Sequence, residues 1–209
     1  MKIASFGVTG KTGKVFFPKA LEKGYQLKCL VRNPEKIKIN NENLEIIKGD
    51  ILNKEDVENT VKGTDIVVSL FGQVKGSPKD LQTQGTINIV NAMKKHGIKK
   101  IISLSGGGLR YKEDKPKIPD YIIKGIMKIF VPHLLEDAKE HTEVLRKSGL
   151  DWVIVRGPRL NDNEPKGKYR VGWVGVNAST KISRADFADF LVTQIEDNNY
   201  LGTMPFISD

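Results

Sequence analysis

Three glycines, two threonines and a lysine fall within seven residues near the N-terminus, in the run Gly7, Val8, Thr9, Gly10, Lys11, Thr12, Gly13. These types at this spacing suit one kind of chemistry, the holding of a phosphate or pyrophosphate. Glycine permits positive φ in a tight turn and lets the backbone approach an anion, and a helix that starts within the run offers free N–H groups and the positive end of its dipole. Thr9 and Thr12 add hydroxyl donors. The run comes after an apolar strand pattern, Ile3 to Phe6, and opens a helical one at Gly13; that position, more than the GxxGxxG spacing, marks a dinucleotide-binding turn. Ser5 to Thr12 nearly spells the GxxxxGK[ST] of a P-loop. Ser5 stands where its first glycine belongs, however, and no acidic residue closing a later apolar strand offers a magnesium ligand.

The residues just after the second strand sort dinucleotides: a carboxylate there suits the ribose hydroxyl of NAD, and cations suit the 2′-phosphate of NADP. Val31 is succeeded by Arg32, with Lys36 beyond the turn at Asn33 and Pro34, so NADP(H) is expected in preference to NAD(H). The alternative is a pair of solvated surface cations. Asp50, after the third strand pattern, either accepts a hydrogen bond from the adenine amino group or caps a helix near Asn53, with Ile51 beside it. Leu70, Phe71 and Gly72, after the fourth, are expected to line the cofactor cleft, and Leu104 and Pro158 to join them from the fifth and sixth.

The elements that must position these residues are legible as apolar runs rich in Ile and Val: Ile3 to Phe6, Leu27 to Val31, Leu44 to Ile47, Ile66 to Leu70, Ile101 to Leu104 and Trp152 to Val155. Continuous hydrophobicity indicates strands buried on both faces of a parallel sheet. Helical patterns alternate with them at Gly13 to Lys23, Lys54 to Val61, Leu81 to His96, Leu134 to Lys147 and Arg184 to Glu196. Asn53 and Ser183 stand where N-caps belong, and Gly24 and Gly97 lie just past helix ends. The fold class expected is α/β, a Rossmann-type doubly wound parallel sheet, as a single domain over 1–209 with a small C-terminal elaboration on the substrate side. Ser105 to Pro119 reads as a long loop shaping a ligand site. Tyr121 to Phe130 reads as a short helix, either closing over that site or simply packing.

Composition excludes several classes. No apolar run approaches the roughly 20 residues that span a bilayer, and the strand pattern starting at Lys2 leaves no room for an export signal, so no membrane partner and a cytoplasmic setting are expected. Cys29 is the only cysteine and falls in a buried strand pattern, which rules out an internal disulfide. The net charge is +9, but the lysines are scattered and few aromatics accompany them, so no nucleic-acid partner is expected. A small-molecule substrate, in a monomer or homodimer, is the expectation.

GVTGKTG, VRNPEK, GDIL, SLFG and SGLDWVIVRGPRL together resemble the atypical short-chain dehydrogenases/reductases, and within them the biliverdin-IXβ reductase and flavin reductase group with its NmrA-like relatives. The resemblance implies NADPH contacts at Gly7, Thr9, Gly10, Lys11, Thr12, Gly13, Arg32, Lys36 and Asp50. Short-chain dehydrogenases place a catalytic tyrosine four residues before a lysine. Tyr111 and Lys115 match formally but lie in the loop before Pro116, and Tyr121 and Lys124 miss by one. The alignment puts the lysine at Lys139 and Leu135 in the tyrosine place. Lys139 then either holds the nicotinamide ribose or pairs with Glu143 on the helix surface. The group's serine position falls on Gly106, with Ser105 one residue before, which either orients the carboxamide or substrate or caps the loop, and its histidine position on Arg159, which either meets an anionic or carbonyl-rich acceptor or forms a surface ion pair. Ser105 and Lys139 are therefore the catalytic candidates, and Gly106, Tyr121 and Arg159 the substrate-binding ones. His96, His133 and His141 read as helix-end or helix-surface residues, and no metal site is expected.

The expected function is an NADPH-dependent oxidoreductase transferring hydride to a planar conjugated acceptor, a flavin, biliverdin or quinone-like molecule. The missing tyrosine also allows a non-enzymatic NADP(H)-binding redox sensor of the NmrA type. A sugar-nucleotide epimerase or dehydratase would need that tyrosine and a larger substrate region.

Overall fold

The computed structural model describes residues 1–74 and 76–209. Strand and helix alternate as β1 (Lys2–Phe6), α1 (Gly13–Glu22), β2 (Gln26–Val31), β3 (Leu44–Lys48), α2 (Lys54–Val61), β4 (Ile66–Ser69), α3 (Leu81–His96) and β5 (Lys100–Gly106). Two consecutive helices come next, α4 (Ile118–Phe130) and α5 (Pro132–Arg146), then β6 (Asp151–Gly157). The C-terminal part adds β7 (Arg159–Asn161), β8 (Arg170–Gly172), β9 (Lys181–Ser183), α6 (Arg184–Thr193) and β10 (Phe206–Ser208).

The main sheet has the order β3-β2-β1-β4-β5-β6-β10-β8 and is parallel except for β8, which runs antiparallel to β10; β7 and β9 form a separate parallel pair. This is the expected Rossmann-type doubly wound fold. Alternate residues of one strand feed two cores. Ile3 joins Phe16, Leu27, Val153 and Phe187 under α1 and α6, while Ala4 and Phe6 join Val57, Ile89, Ile101 and Leu145 under α2, α3 and α5. Both faces are therefore apolar, which is why the central strands read as unbroken runs. β3 departs from that expectation because it is the sheet edge, and Ile46 there is exposed.

Local punctuation sets the element ends. Asn53 accepts hydrogen bonds from the N–H groups of Glu55 (2.9 Å) and Asp56 (3.4 Å) at the start of α2, and Ser183 accepts from Asp186 N (3.0 Å) at the start of α6. Gly97 ends α3 with φ +72°, a left-handed turn that glycine takes without strain.

The expected loop from Ser105 is shorter at both ends, since β5 runs on to Gly106 and α4 begins at Ile118. It is pinned from below. Arg156 of β6, wholly buried, donates to both carboxylate oxygens of Asp114 at 2.8 Å and to the carbonyls of Leu109 (3.0 Å) and Met204 (2.8 Å). Tyr111 stacks on Trp173, and its hydroxyl donates to the Gly202 carbonyl (3.0 Å). Tyr111 is thereby committed to packing, and the formal Tyr111–Lys115 match has no catalytic geometry.

Candidate active site

β1 sits between β2 and β4, and the chain leaves β1 toward α1 on one face and β4 toward α3 on the other. This switch point opens a crevice at the carboxyl ends of the strands. Gly7 has φ +82°, and a Cβ there would collide with the backbone at Leu70 and Phe71; a Cβ on Gly13 would meet Val8 Cα at 2.6 Å. The turn is drawn tight by Gly10 N donating to Gly7 O (3.0 Å). The first helical hydrogen bonds come from Lys14 N to Gly10 O (2.9 Å) and Phe16 N to Thr12 O (2.9 Å). Among the described residues the N–H groups of Lys11, Thr12 and Gly13 meet no acceptor, and Thr12 makes no side-chain cap. These donors form an anion site. Ser5, in the place a P-loop glycine would take, is wholly buried in β1.

From this turn the crevice runs both ways. Toward β2 it is lined by Thr9, Arg32, Asp50, Ile51, Phe71 and Gly72. Arg32 is exposed and has no ion-pair partner among the described residues; Lys36, exposed on the short Pro34–Lys36 turn, does not line this part of the crevice. Asp50 is not a helix cap, because Asn53 fills that role; one of its oxygens accepts from Leu52 N (2.9 Å) while the carboxylate borders the crevice. Leu70 is buried in the core rather than lining the crevice.

Toward β5 the crevice continues from Gly72 into a recess bounded by Leu104, Ser105, Gly106, Leu135 and Ala138. Ser105 is buried, and its hydroxyl has no hydrogen-bond partner. Leu135 occupies the wall where the resemblance would put a tyrosine. Lys139 does not join them. The inward stripe of α5 runs through Ala138, His141 and Leu145, and Lys139, one residue on from Ala138, is turned about 100° away. Its ammonium is exposed and lies 3.7 Å from Glu136, not from Glu143, whose partner is Arg146. Lys139 borders an outer recess with Arg110 and Lys128, which adjoins the Ser105 recess at Leu109 and Leu135.

Beyond Gly106 lies a cavity of about 360 Å³ lined by Gly107, Met127, Pro158, Arg159, Val174 and Phe206. Arg110 and Lys124 also border it. Burial, together with the charges of Arg110 and Lys128, pushes the Lys124 ammonium below its ordinary range. Cations gathered around an apolar floor favour an anion. Tyr121, expected in this cavity, instead lies on the outer side of α4 beneath the Arg110 guanidinium, 5.7 Å from its ring centre.

Three long-range contacts around the site have no local sequence signal. Arg156–Asp114 is one. Asp137 of α5 accepts from the N–H groups of Gln82 (2.9 Å) and Thr83 (2.8 Å) and from the Thr83 hydroxyl (2.7 Å), so one helix caps another. His141, read as a helix-surface residue, is buried, with Nε2 3.0 Å from the Ser103 hydroxyl and Nδ1 3.2 Å from the Ala138 carbonyl. Among the described residues no three His, Cys, Asp or Glu side chains gather as metal ligands.

Residues 7–198 match the model of a family described as NAD(P)H-binding. An uncharacterized chloroplastic protein of Arabidopsis thaliana is 28% identical over 178 residues, a match spanning 79% of this chain and 61% of that protein's length. A wide-type short-chain dehydrogenase/reductase from Veillonella parvula, solved in complex with NADP, has TM-score 0.82 at 18% identity, covering 100% of this chain and 94% of the other. ChuY, an anaerobillin reductase from Escherichia coli O157:H7, has TM-score 0.82 at 16% identity, with 100% and 97% covered. At such identities the two structures share the fold.

Proposed function

The chain belongs to the NAD(P)H-binding family, and from that premise we propose that it is an NADPH-dependent reductase delivering hydride to a planar conjugated acceptor of flavin, biliverdin or quinone type. The observation that carries this reading is the row of recesses, adjoining at Gly72 and Gly106, that leads from Arg32 and the free N–H groups of the glycine turn to the unpartnered Ser105 hydroxyl and a cavity where three cations outnumber Asp120. The residues fit a dinucleotide: the backbone approaches closely at Gly7 and Gly13, and three donors stand free at the start of α1.

In this reading the N–H groups of Lys11 to Gly13 hold the pyrophosphate, and Arg32 pairs with the 2′-phosphate, which makes NADP(H) the preferred cofactor. When bound, the reduced nicotinamide supplies a hydride. Ser105 donates its hydroxyl to the carboxamide or to an acceptor carbonyl, while Leu104, Met127 and Leu135 keep water from the face where hydride is delivered. Arg110 and Arg159 hold acidic groups of the acceptor. With Leu135 in place of a tyrosine, the subsequent proton comes from solvent. A conjugated acceptor tolerates this, because positioning against the nicotinamide does most of the work.

The test is NADPH oxidation with FMN, biliverdin and a quinone panel. Turnover with at least one is expected. Tight NADPH binding without turnover on any of them would overturn the reductase reading and favour the second one, a redox sensor. Leu135 and the outward-turned Lys139 are the observations on its side, and it predicts a protein partner whose capture changes with NADP(H).

A further inference from the structure

α4 carries its apolar face outward. None of its 13 residues is buried, and nine of the fourteen large apolar side chains exposed among the described residues lie between Ile118 and Leu134. Ile118, Ile129 and Phe130 are 77%, 75% and 76% exposed. At 100° per residue Ile118, Tyr121, Ile122, Ile126 and Ile129 share one side of the helix, and Phe130 lies at its margin. An ordinary surface helix turns such a stripe into the core. Here only the opposite side, with Ile123, Lys124 and Met127, meets the protein, at the acceptor cavity. A concentration of this size marks an interaction surface rather than scattered exposure.

The geometry points to α4 as an in-plane membrane helix that docks this face of the protein on an anionic bilayer. Charge selects the occupant. Lys117 and Lys128, eleven residues apart and both exposed, form one flank of the apolar stripe, and Lys115 stands just before the helix. Lysine stems lie along apolar surface while their ammonium groups reach lipid phosphates, and Tyr121 beside that flank suits the headgroup level. A second copy across a two-fold axis would present the same patch. The only acid of the helix, Asp120, borders the cavity on its other side and is already bonded to Lys117 N (2.7 Å), so a homodimer through the stripe would leave the lysines without counter-charges. Such docking needs no spanning segment, and none of the described helices is long and apolar enough to cross a membrane. It lays α4, whose opposite side walls the acceptor cavity, along the lipid surface, where acceptors dissolved in the bilayer are concentrated. That consequence rests on the reductase reading; the docking itself does not.

The experiment is flotation of the full chain with phosphatidylcholine vesicles, with and without phosphatidylglycerol, in the absence of any acceptor. Binding to the anionic vesicles is expected, about tenfold or more tighter than to neutral ones and weakened by salt. The double variant Ile122→Ser, Phe130→Ser should lose it while keeping thermal stability and NADPH binding, and Lys117→Ala should lose part of the anionic preference only. Failure of the unaltered chain to bind, or equal binding to both vesicles, overturns the proposal. So does a two-chain particle in solution that the double variant splits into monomers, since the face would then be a dimer interface.

Discussion

Arg156 and Asp114, 42 residues apart, meet through two 2.8 Å hydrogen bonds with both side chains out of solvent. Burial alone would push the Asp114 carboxyl up. The Arg156 guanidinium, helped by the N–H groups of Tyr111 and Val174, outweighs that and holds it below the usual carboxylate range. The pair ties β6 to the loop between β5 and α4, and so fixes the wall of the acceptor cavity.

Breaking the pair from one side leaves a buried charge without a partner. Asp114→Asn is expected to lower unfolding stability by about 3–5 kcal/mol in urea titration. The double change Arg156→Met, Asp114→Leu should be milder than either single change, because it removes both desolvated charges together. If the single variants unfold at the same urea concentration as the unaltered chain, the loop is held by something else.

Asp137 replaces a local cap. The formal N-cap of α3, Asp80, makes no side-chain cap bond, and the buried first turn is satisfied from α5 instead. Asp137→Ala strands two buried N–H groups and is expected to be destabilising by about 2 kcal/mol. Amide exchange should quicken at Gln82 and Thr83 before it does in β4 or β5.

His141 gives the protein an acid-sensitive point. The Ala138 carbonyl can only accept, so Nδ1 carries the proton and Nε2 accepts from the Ser103 hydroxyl. Burial pushes the imidazole below its ordinary 6.5. The unfolded chain therefore binds more protons below about pH 6.5, and stability, complete above that value, falls as pH drops toward the lowered folded value. His141→Gln should flatten this slope in thermal melts between about pH 6.5 and 5; an unchanged slope would assign the acid sensitivity over that range to another group, and not to Asp114, whose contribution is lost only at lower pH.

The order of the elements was legible because each central strand is an unbroken Ile- and Val-rich run and each of several helices carries its own cap residue. The glycine turn was legible for the same reason: Gly7 and Gly13 are demanded by contacts within a few residues and by one neighbouring strand end. The features that escaped depend on facing and on distance. One step of helical rotation separates Lys139 from the inward stripe at Ala138, and an alignment does not register it. Tyr121 was misplaced in the same way, lying on the outer side of a helix whose inner side does reach the cavity. Arg156, Asp137 and His141 are polar residues whose partners lie 38 to 55 positions away, so nothing in their own neighbourhood announces that they are buried.

Ser105 separates stability from activity. Its buried hydroxyl lacks a partner, so Ser105→Ala removes an unsatisfied group and is expected to hold or slightly raise the melting temperature. If the hydroxyl is completed by cofactor or acceptor, the same variant loses about tenfold in kcat with the best acceptor. A variant with unchanged kcat would remove Ser105 from the catalytic reading.

Arg32 decides cofactor choice. It borders the crevice after β2 with no competing carboxylate partner among the described residues, so a 2′-phosphate gains a charge-assisted hydrogen bond of about 1.5–3 kcal/mol. Arg32→Ala should therefore weaken NADPH by roughly 10- to 100-fold in fluorescence titration and leave NADH nearly unchanged, since NADH lacks the phosphate. Arg32→Asp should go further and reverse the preference, by repelling the phosphate and offering the ribose hydroxyl an acceptor. Equal losses for both nucleotides would mean that Arg32 stacks on adenine instead, and the preference would then have to come from Lys36 or from elsewhere in the crevice.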